Sequence, residues 1–274
     1  MLLALAAAAG LGPAAARADV LLGANFSGLD YRLTDLRPDD GSAAAMSLDG
    51  NIYSLRAEVA DGPSRPGGGA PRSAYVDKSG VFQDGMALYR EVSGARNQAS
   101  FGLSGSFQDG GLNMFVGGKA GNVRSSPQQS SWLLLYSHPA FHLAMTLAPY
   151  TQVTWSGKIT VEAAQTLGRH GARYEEGWIE GGAYLKSPEG EYLDAAVNSV
   201  RINPGAVDSR RSVQDIDMSF SNLSAAPRQI LLYTFMSGEG KSFFPVPEPG
   251  TPWLMLCGVG VLAGTAGLRR RAIK

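Results

Sequence analysis

Hydrophobic and polar residues alternate with a period of two along much of the chain, which predicts strands because successive side chains of a strand point to opposite faces. The clearest example is the apolar set Phe141, Leu143 and Met145, which is separated by His142 and Ala144. A helix over 160–168 competes with a strand reading of the same residues. The segments predicted as strands are 20–26, 52–59, 86–92, 99–107, 112–117, 132–136, 141–147, 158–163, 178–186, 193–201, 215–220 and 230–235.

Many short strands joined by residues that favour turns predict an all-β fold, with an antiparallel two-sheet sandwich or jelly roll as its architecture. The Gly- and Pro-rich stretch 61–71 predicts an exposed loop within one domain. A short repeat, Ser-Gly-x-Phe-Gln-Asp-Gly, occurs at 79–85 and again at 104–110. Because Asp-Gly between apolar runs favours a hairpin turn, the repeat predicts two successive turns.

The N-terminal segment reads as a signal peptide rather than as part of the fold. Residues 1–18 are apolar and rich in alanine, and Ala16 and Ala18 supply the small-x-small pattern that signal peptidase recognises. We therefore expect cleavage before Asp19.

The C-terminal segment combines a turn-forming patch, an apolar run and a basic end. Residues 253–268 are uncharged, and as a transmembrane helix they would rise about 24 Å, slightly less than the roughly 30 Å hydrocarbon core of a bilayer. The basic residues that follow favour the cytoplasmic side, which places the rest of the chain across the membrane. The residues that frame the run are Pro247, Glu248 and Pro249 before it and Arg269, Arg270 and Arg271 after it.

This order of features resembles the C-terminal sorting signal of PEP-CTERM proteins. The resemblance implies an exported protein of a Gram-negative bacterium, made as an inner-membrane-anchored precursor and processed by an exosortase. It also implies delivery to the cell surface or extracellular matrix, in association with exopolysaccharide and biofilm. The predicted organisation is a signal peptide at 1–18, an exported β domain at 19–245 and the sorting signal at 246–274.

The charge of the β domain argues against one class of function, and the cysteine content excludes disulfide cross-links. The whole chain has a net charge of +0, and removing the five basic residues and one acidic residue of the predicted terminal segments leaves a net charge of −4. A mildly acidic domain argues against nucleic-acid binding, which normally uses a basic face. The single cysteine, Cys257, lies within the apolar run, so no disulfide can form within the chain.

No complete catalytic or metal-binding motif is present, so the sequence predicts a protein without enzymatic activity, cofactor or metal. The stretch closest to a serine-hydrolase elbow, 102–106, lacks the final glycine. His138 and His142 would share one face of a strand, but Pro139 argues against the helix on which such a pair usually binds metal. Asp35, Asp39 and Asp40 could bind a hard cation through their oxygens, although a solvated turn is the simpler interpretation.

The best candidate for chemistry is an acidic cluster that contains aromatic residues. Glycosidases use two carboxylates that flank the sugar bond, and Glu175, Glu176 and Glu180 supply carboxylates here. In a strand, however, Glu175 and Glu176 point to opposite faces, and Glu176 and Glu180 stand about 13 Å apart. We therefore predict contact with glycan through Tyr174 and Trp178 and no catalysis. The alternatives are a glycan-cleaving enzyme that uses the three glutamates and a structural subunit that self-associates.

Overall fold

The computed structural model describes residues 18–63, 72–107, 111–122, 129–166, 174–204 and 207–243. Ala16, the predicted sorting signal at 246–274 and its apolar run at 253–268 lie outside these residues. Within the described ranges, no helix is both long and apolar enough to cross a membrane. The chain separates into two units, Met1–Phe244 and Pro245–Lys274, and all the described structure belongs to the first.

The described residues form twelve strands and one short 3-10 helix at Pro38–Asp40. The strands are β1 (Ala18–Asp35), β2 (Met46–Pro63), β3 (Arg72–Val81), β4 (Ala87–Ser93), β5 (Asn97–Ser106), β6 (Gly111–Asn122), β7 (Gln129–Leu147), β8 (Thr151–Gln165), β9 (Tyr174–Lys186), β10 (Tyr192–Ile202), β11 (Asp208–Ser221) and β12 (Arg228–Phe243). The prediction of an all-β fold with two antiparallel sheets is confirmed for the described residues.

The strands form two six-stranded antiparallel sheets that pack face to face. Sheet A has the order β11-β8-β1-β6-β5-β4, and sheet B has the order β10-β9-β12-β7-β2-β3. The connections β2–β3, β4–β5–β6 and β9–β10 stay within one sheet, whereas the others cross between the sheets. Neighbours in each sheet therefore come from distant parts of the chain, as β1 between β6 and β8 illustrates.

The core lies between the sheets because alternate side chains of each strand point inward. Along β8, Val153, Trp155 and Ile159 are fully buried, while the residues between them are at least partly exposed. Sheet B contributes Phe141 and Leu143 to the same cluster. Burying one large apolar side chain stabilises a fold by about 1.5–3 kcal/mol, so this continuous layer is the main source of stability.

The two copies of the sequence repeat pack against each other. Their phenylalanines, Phe82 and Phe107, are both buried and make an edge contact, with ring centroids 5.8 Å apart. Asp84 of the first copy accepts hydrogen bonds from the Ser106 hydroxyl at 2.7 Å and from the Phe107 N–H at 3.2 Å. The first Asp-Gly turn connects β3 of sheet B to β4 of sheet A, so it is a crossing turn rather than a hairpin. Asp109 and Gly110 lie outside the described residues.

Three local features differ from the sequence prediction. Strand β3 was not predicted, because an edge strand whose side chains are largely exposed shows no regular apolar alternation. The alternative prediction of a helix at 160–168 is wrong for 160–165. These residues continue β8, because inward residues such as Val161 and Ala163 fill the core. The segments 132–136 and 141–147 are parts of one strand, β7, with a register irregularity opposite Thr234–Met236.

A β-bulge in β1 is built on glycines. The pairing of β1 shifts between Phe26 and Leu29 with β6 and between Ser27 and Asp30 with β8, and Gly28 within the bulge has φ 63. Gly111 of β6 has φ 82 and approaches so closely that a Cβ on it would lie 2.6 Å from the Gly28 carbonyl carbon. Both positions therefore require glycine.

Candidate functional site

Strand β9 divides the predicted acidic cluster between the two faces of sheet B. Glu175 points into the sandwich and is only 1% exposed, and its Oε2 accepts a hydrogen bond from the Thr166 N–H at 2.9 Å. Glu176, Trp178 and Glu180 alternate with buried neighbours and lie on the outer face. The three glutamates therefore do not meet in one cleft, as the alternation predicted.

Neighbouring strands surround Trp178 with charged side chains. The register places Arg201 of β10 on one side of Trp178 and Glu239 of β12 on the other. Lys241 lies opposite Glu176, and its Nζ is 2.7 Å from Glu239 Oε1 and 3.9 Å from Glu176 Oε1. The depression that these residues form has a volume of about 280 Å³ and is lined by Glu176, Gly177, Trp178, Arg201, Ile202, Asn203, Glu239 and Lys241.

Glycines on the inner face bring the two sheets close together beneath this depression. A Cβ on Gly177 would lie 3.1 Å from Leu22 Cδ2, and one on Gly240 would lie 3.1 Å from Val20 Cγ1 of sheet A. A Cβ on Gly238 would lie 2.9 Å from the Trp178 carbonyl oxygen. The backbone that carries Trp178 therefore rests directly on sheet A, which gives the indole a rigid support.

A second depression adjoins the first across β12 and β7. Glu239 is paired with Leu134, which is paired in turn with Glu58 of β2. The cavity has a volume of about 270 Å³ and is lined by Arg56, Glu58, Leu134 and Tyr136. Arg56 Nη2 lies 3.1 Å from Glu58 Oε2, so charges are paired here as well. The outer face of sheet B thus combines exposed rings with fixed ion pairs.

The remaining candidates take structural positions. Asp35 and Asp40 each accept a hydrogen bond at 2.8 Å from a backbone N–H two residues later, from Arg37 and Ser42 respectively, as expected of turn residues. His142 stacks on Tyr233 rather than facing other ligating groups. In the described part of the chain, no three His, Cys, Asp or Glu side chains are grouped to hold a metal ion.

Tyr174 is the first residue of β9 and is paired with Phe243, but its side chain lies outside the description, as does that of His138. Ala18 begins β1, and the N–H of Asp19 donates a hydrogen bond to Thr166 Oγ1 at 2.8 Å. The expected cleavage site between Ala18 and Asp19 therefore lies within β1, directly after its first residue.

Comparison with known proteins identifies one feature of the chain. A family model for the PEP-CTERM protein-sorting motif matches residues 245–271, which confirms the resemblance seen in the sequence. No curated protein matches the chain. Among solved structures, the N-terminal CBM22-1-CBM22-2 tandem domain from Paenibacillus barcinonensis Xyn10C is 11% identical, with 83% of this chain and 79% of that chain covered. Its TM-score of 0.16 is too low to support any argument.

Proposed function

We propose that the exported β domain of this chain binds polysaccharide and catalyses no reaction. The motif supports an exported protein of a Gram-negative bacterium whose membrane-anchored precursor is processed by an exosortase. We further propose that signal peptidase removes the signal peptide and that the protein is delivered to the cell surface or matrix. There it would associate with exopolysaccharide in a biofilm.

The observation that carries the proposal is the depression around Trp178. An indole offers a broad apolar face for stacking against the C–H face of a sugar ring, and it keeps an N–H donor. Glu239 and Lys241 are paired at 2.7 Å, so an acceptor and a donor stand at fixed positions beside the indole. Sugar hydroxyls both donate and accept hydrogen bonds, and this pair satisfies both needs.

The same geometry argues against the glycan-cleaving alternative. A glycosidase holds one carboxylic acid protonated through burial, beside a second carboxylate across the same cleft. Glu175 is buried on the inner face, whereas Glu176 and Glu239 lie on the outer face beside the ammonium of Lys241, so the buried acid and the outer carboxylates do not share a cleft. We therefore assign Glu176 and Glu180 to the binding surface.

The experiment measures retention of the protein, recovered from its host, in gels that contain the host exopolysaccharide. Trp178→Ala should migrate faster than wild type in those gels and equally in gels without polymer. Tyr89→Ala is the matched control, because Tyr89 is an exposed aromatic residue on the outer face of sheet A. Unchanged retention of Trp178→Ala would refute the binding site.

A parallel assay for reducing ends and unsaturated sugars tests the absence of catalysis. We expect no release by wild type and therefore no change in Glu175→Gln, Glu176→Gln or Glu180→Gln. Release by wild type that any one of these variants abolishes would establish the enzyme instead.

A further inference from the structure

A cluster of aromatic rings on the outer face of sheet B lies apart from the depression around Trp178. Tyr184 of β9 is paired with Tyr233 of β12, and Tyr192 of β10 makes an edge contact with Tyr184 at 5.1 Å between centroids. Phe235 stacks on Tyr184 at 5.3 Å with an interplanar angle of 8°. His142 stacks on Tyr233 at 4.3 Å. These residues, with Lys186, are called the tyrosine cluster below.

The ammonium group of Lys186 lies close to the rings of all three tyrosines in the cluster. Its Nζ lies 4.2 Å from the ring centroid of Tyr192, 4.9 Å from that of Tyr233 and 5.6 Å from that of Tyr184. These distances lie within the range of cation–π attraction, which fixes the rings relative to one another. Tyr192 nevertheless remains 61% exposed, so its ring and hydroxyl are accessible to a ligand.

The cluster is suited to an uncharged, hydroxyl-rich ligand. Burial lowers the pKa of the His142 imidazole, which is therefore neutral at pH 7. Burial, with smaller effects of Tyr192 and Glu180, raises the pKa of the Tyr184 hydroxyl, which therefore keeps its proton as a donor. Lys186 is the one cation that contacts these rings in the described part of the chain, and it lies against them rather than forming an open basic patch.

The sheet aligns this cluster with the first depression. Tyr184 follows Trp178 by six positions on the outer face of β9, a distance of about 20 Å along a strand. Between them, Glu180 is flanked by Ser199 of β10 and Ser237 of β12. The path between the two aromatic sites therefore begins with polar side chains that can contact sugar hydroxyls. At Gly182 it continues between the apolar side chains of Val197 and Phe235, which can contact the C–H faces of sugar rings.

We propose that the tyrosine cluster is a second sugar-binding site and that one neutral polysaccharide chain, lying along β9, contacts it and Trp178 together. This inference rests on the proposed function, because it extends the ligand class assigned to Trp178. Two linked contacts on one polymer raise avidity by about 10²–10⁴ over a single contact. A sugar oligomer too short to span about 20 Å gains none of this increase.

The test uses affinity electrophoresis of the protein recovered from its host, in gels containing the host exopolysaccharide, hydroxyethyl cellulose, xylan, dextran or anionic alginate. On the neutral polymer that retains wild type, Trp178→Ala and Tyr192→Ala should each weaken binding at least tenfold. The double variant should not be retained. Disaccharides of the same sugar should compete poorly with the polymer for wild type. Lys186→Met, which keeps the aliphatic stem, should weaken binding less than Tyr192→Ala.

Each contrary result has a distinct meaning. If Tyr192→Ala is retained as strongly as wild type while Trp178→Ala loses retention, the second site is overturned and the proposed function remains intact. If both variants are retained like wild type, or if wild type is retained on none of the polymers, the second site and the proposed function are both refuted. Preference for alginate overturns the neutral ligand. A change of sedimentation mass in Tyr192→Ala identifies the cluster as an interface between copies of the chain and also overturns the inference. Tyr89 is 53% exposed on sheet A, so the variant Tyr89→Ala controls for the general loss of a surface ring.

Discussion

At the scale of single residues, Glu175 shows how one position along a strand decides the role of an acid. Its carboxylate is buried and accepts the Thr166 N–H, so its removal takes away this part-buried hydrogen bond. We expect Glu175→Ala to lower the free energy of unfolding by about 1–3 kcal/mol. Glu175→Gln should cost less, because the amide oxygen can still accept this hydrogen bond. Urea denaturation measures both values.

The matched control is Glu180→Ala on the outer face of the same strand. A surface substitution of this kind usually changes stability by no more than about 0.5 kcal/mol. An equal loss of stability in the Glu175 and Glu180 variants would contradict the structural role of Glu175.

His142 provides a prediction about pH. Burial lowers the pKa of its imidazole in the folded state, so the unfolded chain binds more protons on this residue as the pH falls below its ordinary pKa of about 6.5. Its contribution therefore makes stability rise with pH through this window, and acidification destabilises the fold. The ammonium of Lys186 lies 4.9 Å from the centroid of the Tyr233 ring on which His142 stacks.

The measurement compares the melting temperature of wild type and His142→Gln between pH 7 and pH 5. The variant should lose less stability on acidification, because it has no imidazole at this position to protonate. Identical pH profiles would show that His142 is not responsible. The comparison with the variant separates this effect from the titration of the other histidines.

The residue scale also shows what sequence alone can predict of the site. Alternation along β9 correctly placed Glu175 on one face and Glu176 and Glu180 on the other. It could not identify Arg201 or Glu239 as neighbours of Trp178, because strand pairing joins residues distant in the chain. No local pattern marks such partners, so only their register in the sheet reveals them.

At the scale of elements, the glycine bulge of β1 predicts an asymmetric response to alanine. Gly111 has φ 82, and a Cβ there would lie 2.6 Å from backbone of Gly28. We expect Gly111→Ala to cost at least about 1–3 kcal/mol, from the unfavourable dihedral and the clash. Gly50→Ala in β2 is the control, since no atom lies within 4 Å of its Cβ position. That change should be neutral or stabilise by about 0.4–1 kcal/mol. Equal effects on thermal unfolding would contradict this account.

Strand prediction succeeded where burial of alternate residues imposes a pattern, even at the sheet edge in β11, and failed at β3. Residues 158–163 and 215–220 alternate clearly and form parts of β8 and β11, which are paired over their length. Strand β3 is an edge strand with largely exposed side chains, so burial imposes no alternation on it. The repeat predicted turns but not the crossing between sheets, because Asp84 bonds to Ser106 in the second copy, far along the chain.

At the scale of the whole molecule, the two outer faces of the sandwich differ in chemistry. Along β8 of sheet A the outward residues include Thr154, Ser156 and Thr160, which are small and polar. Sheet A carries Tyr89 and Phe115 near its β4 edge, whereas sheet B presents Trp178 and the tyrosine cluster on its outer face. The core lies between the sheets, so these outward residues are not part of it. Under the proposed function, the aromatic face of sheet B would meet polymer after export, which would link binding to sorting.

The sorting motif predicts where the chain stops if processing fails. Proline lacks a backbone donor and restricts the residue before it, so Pro247-Glu248-Pro249 favours an extended segment just outside the predicted membrane helix. An extended backbone is accessible to a membrane enzyme, whereas a helix satisfies its own hydrogen bonds. We therefore expect Glu248→Gln, and alanine at both prolines, to leave the protein in the inner membrane with its tail intact. Cell fractionation and intact-mass measurement report both properties.

The control for this prediction is Glu189→Gln, which removes an exposed acid in the turn between β9 and β10 without touching the motif. That variant should be sorted like wild type, because the folded domain and the tail are unchanged. Variants of the motif that reach the surface at the processed wild-type mass would show that these residues are not recognised. Variants that reach the surface with the tail still attached would show that the segment acts only as an anchor. Retention of the Glu189 variant in the inner membrane would instead show that the domain itself, rather than Glu248 and its prolines, limits release.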